Sequence, residues 1–363
     1  MNCCSWQVRI DVDGTEGHGT LAVPVPALAT RMLGMQKATG GILIALGVLL
    51  CIGLVSIAGA AVRDGTLEAG KQPDPVRIRN SRITMALTAL ILAGAVYFGN
   101  QWWASDAGDY ARFVYKPLRL DPTVEGSRLT LKLTDPGWIN RRTDDLLPDH
   151  DHLMHLYMIR VPDMNYVWHL HPERQEDSTF VQQLPSMPAG RYALYGDIVH
   201  ANGVPETATA ELNVPDIVGS PLAGDDAGGA IDAPSAYHIV WDRPSAPIHA
   251  KRADHLRFRV EDASGHPASD VQLYMGMLGH AAIVARDGTV FAHIHPSGSA
   301  PMAAVQLTQP NNPHAGHTMM SGSLPAEVAF PYGFPKSGDY RIIVQVKRGG
   351  AILTGAFDAK VEP

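Results

Sequence analysis

Two His-x-His pairs in the chain are each followed directly by a proline. His169 and His171 form one pair, and His293 and His295 form the other. Alternate residues of a β-strand point to the same face of the sheet, so the two imidazoles of a pair are expected to lie side by side. Imidazole is a common ligand of copper, zinc and nickel. Each pair is therefore a candidate metal site, and the competing interpretation is a pair of exposed or internally hydrogen-bonded histidines.

A second set of candidate ligands lies on the segment that precedes each pair. Both segments carry three such residues at the same spacing: His150, His152 and His155 in the first, and Met275, Met277 and His280 in the second. Imidazole suits Cu(II) and Zn(II), whereas thioether sulfur favours Cu(I). The first set thus predicts a Cu(II) site with zinc as a competitor, and the second predicts a site that prefers Cu(I). The alternative for the two methionines is that they fill gaps in the core.

Residues 309–323 form an inserted loop that contains four more candidates. They are His314, His317, Met319 and Met320. A short polar tract with two histidines and two methionines suits the capture of a soft metal ion. A plain disordered insertion is the other interpretation of this loop.

The elements that must position these residues occur twice, in the same order. Residues 115–215 and 237–363 each contain a strand with Asp and Gly turn signals, a hairpin ending in His-x-His-Pro, a Gly-x-Tyr strand and a last strand. Short alternating strands separated by turn residues are typical of antiparallel β-sandwiches. We therefore predict a duplicated, tandem pair of Ig-like or cupredoxin-like β-sandwich domains. The Gly-, Asp- and Pro-rich residues 216–236 are predicted to be a linker.

Two apolar segments precede this mainly-β part of the chain. Residues 37–62 and 83–103 are long enough to form transmembrane α-helices. The connection between them, residues 63–82, is richer in Lys and Arg than the outer flanks, which predicts a cytoplasmic loop. Both termini and both β domains are then expected on the periplasmic side of a bacterial inner membrane.

Residues 1–36 are predicted to carry an extracytoplasmic β-hairpin. Two alternating strands occupy residues 5–26 and are expected to turn between Thr15 and Gly19. Their pattern matches the last hairpin of the second β domain. We interpret this hairpin as a possible remnant of a further β domain. Because a lone hairpin is marginal in water, we expect either that it pairs with another unit or that the chain begins inside a longer gene product.

Composition excludes several classes of function. The net charge is −7 with both signs mixed along the chain, so no basic stripe for nucleic acid is present. All three cysteines lie at or before Cys51, which leaves the β domains without a thiolate and argues against electron transfer through a blue-copper site. No nucleophile, phosphate-loop or zinc-protease motif occurs, so we do not expect an enzyme.

The His-x-His and Met-x-Met motifs on this strand pattern resemble the bacterial periplasmic copper-binding proteins of the CopC type and the related YtkA-like domains, over roughly residues 120–363. The resemblance implies copper sequestration, sensing or delivery without chemical turnover. A membrane metal transporter or a metalloprotein acceptor would be the partner in delivery. The alternative is a structural or protein-interaction tandem β-sandwich membrane protein that binds no metal.

Overall fold

A computed structural model of the chain describes residues 5–15, 17–68, 70–138, 141–176, 178–231, 238–308 and 324–363. The chain divides into two compact units. One unit is Leu28–Tyr115, and the other combines Met1–Ala27 with Lys116–Pro363.

The first unit consists of two long helices, α1 (Lys37–Asp64) and α2 (Pro75–Ala111). α2 begins at Pro75 rather than at the predicted residue 83, because Asp74 caps it. The Asp74 carboxylate accepts a hydrogen bond from the Arg77 backbone N–H at 2.8 Å, and proline fits the first turn of a helix. Arg77 and the basic residues just after it, which were expected in the loop, therefore lie on the helix.

Both helices are long and apolar enough to cross a membrane. Large apolar side chains such as Ile42 and Leu90 are 69% exposed on their surfaces, as expected for helices that contact lipid. The two helices touch where Ser81 Oγ–H donates to the Gly59 carbonyl at 2.7 Å. A Cβ atom at Gly59 would lie 2.5 Å from Met85 Cγ, so a small residue is needed for this contact. The helices indicate membrane association.

The second unit begins with an antiparallel hairpin of β1 (Ser5–Gly14) and β2 (Gly17–Pro26). Its register runs from Ser5 opposite Pro26 to Gly14 opposite Gly17, so the predicted hairpin is confirmed. The hairpin forms a two-stranded sheet of its own. It contacts the second β domain, where Thr308 Oγ–H donates to the Thr20 carbonyl at 3.0 Å. Its origin as a remnant of a further domain stays a prediction.

The first β domain is a sandwich of two packed layers. Its strands are β3 (Arg119–Glu125), β4 (Arg128–Thr134), β5 (Leu146–Leu147), β6 (His155–Val161), β7 (Tyr166–Leu170), β8 (Glu173–Glu176), β9 (Thr179–Gln183), β10 (Gly190–His200), β11 (Pro205–Val214) and β12 (Ala227–Ala230). One layer has the order β12-β7-β6-β10-β11 and the other β3-β4-β9-β8, with β5 paired to β10 and a parallel contact between β11 and β3. Alternating apolar residues such as Leu129 and Leu131 fill the core between them.

The second β domain repeats this architecture. Its elements are β13 (His238–Asp242), β14 (Ile248–His249), β15 (Ala253–Glu261), β16 (Val271–Gln272), β17 (His280–Ala285), β18 (Phe291–Ile294), α3 (Met302–Gln306), β19 (Glu327–Gly333), β20 (Gly338–Arg348) and β21 (Ala351–Glu362). One sheet has the order β13-β15-β19, and the other β14-β21-β20-β17-β18 with β16 paired to β20. The predicted fold class, two helices followed by tandem antiparallel β-sandwiches, is confirmed.

The strand registers of the two domains correspond closely. β6 pairs with β10 so that His155 lies opposite Asp197, and β17 pairs with β20 so that His280 lies opposite Gln345. The turns before these strands match as well: a bridge joins Asp149 and His152 in one, and Tyr274 and Met277 in the other. Both turns use a positive φ, 49° at His150 and 50° at Met275. The aligned His and Met positions of the sequence repeat therefore occupy equivalent places in the fold.

The segment predicted to be a linker is partly a strand. Within it, β12 adds to the edge of the first domain beside β7, with Ala227 opposite His169. The glycines that indicated flexibility allow this close approach: a Cβ atom at Gly228 would lie 2.3 Å from the Val167 carbonyl oxygen. Packing against β7 therefore requires a glycine at position 228.

The two β domains pack together through the layers that hold the candidate ligands. Tyr157 and Ile159 of β6 share an apolar cluster with Ala282 of β17 and Ile343 of β20. Tyr195 stacks on Phe291 across this interface with ring centroids 4.2 Å apart. This contact brings the β6–β7 hairpin of one domain next to the β17–β18 hairpin of the other.

Candidate metal centre

Eight of the predicted ligands, all of them histidines, form one cluster between the two β domains. They are His150, His152, His155, His169, His171, His280, His293 and His295, with each ring centroid within 6.4 Å of at least one other. The sequence predicted a separate site in each domain. The structure instead merges the histidines of both, because the two hairpins that carry them meet at the interface.

Three of these histidines, His155, His169 and His293, have one ring nitrogen each within 4.8 Å of the others. We call this set triad 1. His155 and His169 come from β6 and β7 of the first domain, and His293 comes from β18 of the second. Nδ1 of His155 and Nε2 of His169 lie 3.1 Å apart. Ligands about 2.0–2.1 Å from a tetrahedral metal are about 3.3 Å apart, so this spacing suits a shared ion.

The tautomer of His169 is fixed by its surroundings. Its Nδ1 lies 3.0 Å from the side-chain oxygen of Gln345, whose amide nitrogen donates to Thr354. Nδ1 also lies 3.4 Å from the hydroxyl of Tyr274, and that hydroxyl donates its own hydrogen to the Asp225 carbonyl. Both neighbours therefore act as acceptors, and Nδ1 carries the hydrogen. In the neutral ring Nε2 is then a bare lone pair.

His155 and His293 are oriented in the same way. Nε2 of His155 lies 3.0 Å from the Asp149 carbonyl oxygen, which can only accept, so Nε2 carries the hydrogen and Nδ1 is bare. Nδ1 of His293 lies 3.2 Å from the Asp197 carboxylate and donates to it, which leaves Nε2 bare. Metal-binding histidines usually have this arrangement, with the second nitrogen donating to an oxygen.

Burial keeps the triad 1 histidines of the first domain neutral. Desolvation lowers the pKa of His155 and of His169 well below 6.5, and the neighbouring histidines lower both pKa values further. The two bare nitrogens that face each other at 3.1 Å therefore have no proton between them. Two lone pairs at this distance repel, and a cation between them removes the repulsion.

The remaining inner histidines, His150, His280 and His295, also have one ring nitrogen each within 4.8 Å of the others. We call this set triad 2. Desolvation lowers the pKa of His280 and of His295 well below 6.5. The Asp149 carboxylate lies beside this set, 3.5 Å from Nε2 of His150 and 3.6 Å from Nε2 of His295. Burial raises the pKa of Asp149 to about 6.

His152 and His171 form the outer edge of the cluster, with their rings stacked at 4.0 Å. His152 is the more exposed, with 27% of its side chain accessible, and lies 3.4 Å from the Asp225 carboxylate. Nδ1 of His171 lies 3.0 Å from the Asp226 carboxylate, which also accepts from the His171 backbone N–H. Desolvation lowers the pKa of His171, although the hydrogen bond to Asp226 opposes this. This carboxylate-lined edge of the histidine cluster is partly accessible to solvent at His152.

The two predicted methionine ligands are buried. Met275 packs with Ala227 and Tyr274 in a small apolar cluster, as a gap-filling core residue does, and Met277 is 5% exposed. Among the described residues, triad 1 and triad 2 consist of histidine alone. The loop candidates His314, His317, Met319 and Met320 lie outside the described residues.

Several residues that complete the site were missed by the sequence reasoning. Asp197 and Gln345 orient the triad 1 histidines, and Asp225 and Asp226 come from the expected linker. The repeat itself offered a signal for the first two, since they occupy equivalent positions on β10 and β20. No comparable signal distinguished the two linker aspartates from solvated acidic residues.

A chain with two membrane-type helices, a tandem β-sandwich and a buried interdomain histidine cluster is a membrane-associated β-sandwich protein. It belongs to the family described as a domain of unknown function, DUF8832, which matches residues 120–216 and 233–363. No curated protein matches the chain.

Solved structures with some similarity include domains 4 and 5 of the S-layer protein SbsC, at 11% identity and a TM-score of 0.19, covering 68% of this chain and 98% of that one. A chimeric titin Z1Z2 is 14% identical with a TM-score of 0.18, covering 68% of this chain and 95% of the other. The Escherichia coli adhesin FdeC is 15% identical with a TM-score of 0.18, covering 68% and 63%.

Proposed function

We propose that this protein is a membrane-anchored, extracytoplasmic copper-binding protein whose primary site is triad 1. The observation that carries the proposal is the pair of bare nitrogens, His155 Nδ1 and His169 Nε2, that face each other 3.1 Å apart. Both residues are buried, with His155 2% exposed and His169 without exposed surface. A buried acceptor without a partner costs about 1–3 kcal/mol, and two that repel cost more. One cation bound by both nitrogens removes this cost.

Copper fits the donor set of triad 1. Three neutral imidazoles suit Cu(II), and zinc is a competitor for the same ligands. The hydrogen bonds to Gln345, Asp197 and the Asp149 carbonyl orient all three rings before an ion arrives, which favours affinity. The second domain's methionines are not required for this site.

The role that best matches the arrangement is sequestration, sensing or delivery of copper without chemical turnover. The outer residues His152 and Asp225 give an ion a partly exposed first contact, and a membrane metal transporter or a metalloprotein acceptor would be the partner. The basic residues of segment 63–82, which lie in the connection and at the adjoining ends of both helices, favour a cytoplasmic position for this segment. Both termini and the β domains then lie on the periplasmic side of a bacterial inner membrane.

The test uses the full-length protein in detergent. After treatment with a chelator, Cu(II) and Zn(II) are titrated and bound metal is measured by elemental analysis. We expect tight Cu(II) binding by the wild type, and loss of a bound equivalent in the His155→Gln and His293→Gln variants. His266→Gln is the matched control, since the His266 side chain is 78% exposed and outside the cluster. A wild type that binds neither ion would favour the alternative, a structural or protein-interaction β-sandwich protein.

A further inference from the structure

We propose that triad 2, together with the Asp149 carboxylate, binds a second transition-metal ion beside the ion of triad 1, so that the cluster is a two-metal centre. This inference rests on the proposed function of triad 1. It adds a second ion, a different ligand set and a stoichiometry.

The first observation concerns His280. This residue has no exposed surface, and among the described residues neither of its ring nitrogens has a hydrogen-bond partner. A neutral imidazole has one N–H donor and one acceptor, and buried polar groups are ordinarily paired. The ring lies 5.2 Å from His295 and 5.8 Å from His150 between centroids. A metal ion between these three rings would bind the lone pair of the His280 ring, which otherwise has no hydrogen-bond partner among the described residues.

The second observation is the position of Asp149. Its oxygens lie 3.5 Å from Nε2 of His150 and 3.6 Å from Nε2 of His295. These distances are long for hydrogen bonds. They are close to the spacing of about 3.3 Å between an oxygen and a nitrogen that share one tetrahedral ion. Asp149 can therefore complete a set of three imidazoles and one carboxylate.

The third observation is the proximity of the two triads. His293 of triad 1 lies 5.0 Å from His295 and 5.4 Å from His280 of triad 2, between ring centroids. The rings within triad 1 are 4.9–5.6 Å apart, so the two sites adjoin. Asp149 connects them as well, because its backbone carbonyl orients His155 while its side chain faces triad 2. Paired ions in proteins lie about 3.5–4 Å apart, which this arrangement permits.

The two sites differ in charge. Triad 1 offers imidazoles alone, whereas triad 2 has the Asp149 carboxylate beside it. The negative charge favours a divalent ion in triad 2, while triad 1 can accept either oxidation state of copper. Each triad takes ligands from both β domains, so both ions would link the domains.

The experiment combines metal analysis with electron paramagnetic resonance of the full-length protein during a Cu(II) titration. We expect two equivalents at saturation. The first should give an ordinary mononuclear signal, and the second should reduce the integrated intensity well below two spins per chain, because adjacent Cu(II) ions couple. His280→Gln should bind one equivalent with one full spin, and His266→Gln should match the wild type.

A milder variant keeps the inference testable if His280→Gln fails to fold, as judged by circular dichroism. Asp149→Asn retains the backbone carbonyl that orients His155 and should weaken only the second equivalent, by about tenfold or more. Saturation of the wild type at one equivalent would overturn the two-metal centre and leave the proposed function intact. Two equivalents with full spin intensity would also overturn it, and no binding at all would remove both proposals.

Discussion

Replacing His280 with leucine should stabilise the metal-free protein, which is the opposite of the usual effect of changing a core residue. His280 is completely buried, and both of its ring nitrogens lack hydrogen-bond partners among the described residues. Each unmet polar group costs about 1–3 kcal/mol. Leucine removes both groups, whereas imperfect packing of a side chain of similar volume costs up to about 1.5 kcal/mol. We therefore expect the free energy of unfolding to rise by about 0.5 kcal/mol or more.

The same substitution should reduce stabilisation by copper. An ion that binds only the folded state contributes about 2.7 kcal/mol when its free concentration is 100 times the dissociation constant. The wild type should gain this free energy of stabilisation from each bound ion, whereas His280→Leu should lose the part that comes from triad 2. The substitution should therefore raise the free energy of unfolding of the metal-free protein and lower that of the copper-loaded protein.

Urea unfolding of the detergent-solubilised protein, followed by circular dichroism of the β domains, measures both quantities. One series contains a chelator and the other contains excess Cu(II). His266→Leu, an exposed change outside the cluster, is the control and should alter neither series. A metal-free His280→Leu protein that is less stable than the wild type by about 1 kcal/mol or more, roughly the net contribution of one hydrogen bond, would refute the reasoning. His280 would then be a satisfied core residue.

Three further predictions concern the surroundings of the histidine cluster. Gln345→Leu should weaken Cu(II) binding in triad 1 roughly 10- to 100-fold, because His169 loses the acceptor that orients it. Gln345→Glu keeps an acceptor at this position and should retain most of the affinity in the same titration. Burial lowers the pKa values of His155 and His169, so Cu(II) affinity should change little from pH 7.5 to 6.5 and decline only below that range; a decline centred at pH 6.5 would contradict this. Burial opposes the charge of His200, but its hydrogen bonds to Glu206 and Asp145 raise its pKa above 6.5. The stability that protonated His200 contributes is fully present below pH 6.5 and is lost as the pH rises through the raised pKa. His200→Gln should therefore destabilise the protein more at pH 6 than at pH 8, which urea unfolding at the two pH values would measure.

Sequence patterns predicted the local elements of this fold well, because those elements depend on local signals. Alternating apolar residues identified strands such as β4 and β20, and repeated turn residues identified the duplication. The two helix positions followed from apolar runs, although the Asp74–Pro75 start signal of α2 was overlooked. The spacing of the histidines correctly selected the segments that form the cluster.

The merging of two sites into one could not be predicted from these patterns. It depends on which faces of the two sandwiches pack together, and that choice is made by a non-local apolar cluster that joins Tyr157 and Ile159 to Ala282 and Ile343. Each of these residues alone is typical of any strand core. The position of Asp226 was equally hidden, because glycine-rich composition predicts a linker and a closely packed edge strand equally well.

The interface makes the two domains mutually dependent, because each orients a histidine of the other. His169 of the first domain donates to Gln345 of the second, and His293 of the second donates to Asp197 of the first. These acceptors occupy equivalent positions in the two repeats, so the contacts are related by an approximate two-fold exchange of domains.

This exchange is chemically asymmetric, because one acceptor is an amide and the other a carboxylate. The His293 ring therefore donates to a charged group and the His169 ring to a neutral one. The ligand sets also differ, since triad 1 takes two histidines from the first domain and triad 2 takes two from the second. Duplication of one sandwich thus accounts for two adjoining sites, and later divergence of the repeats accounts for their difference. Each triad takes ligands from both domains, so metal binding by either triad requires the tandem.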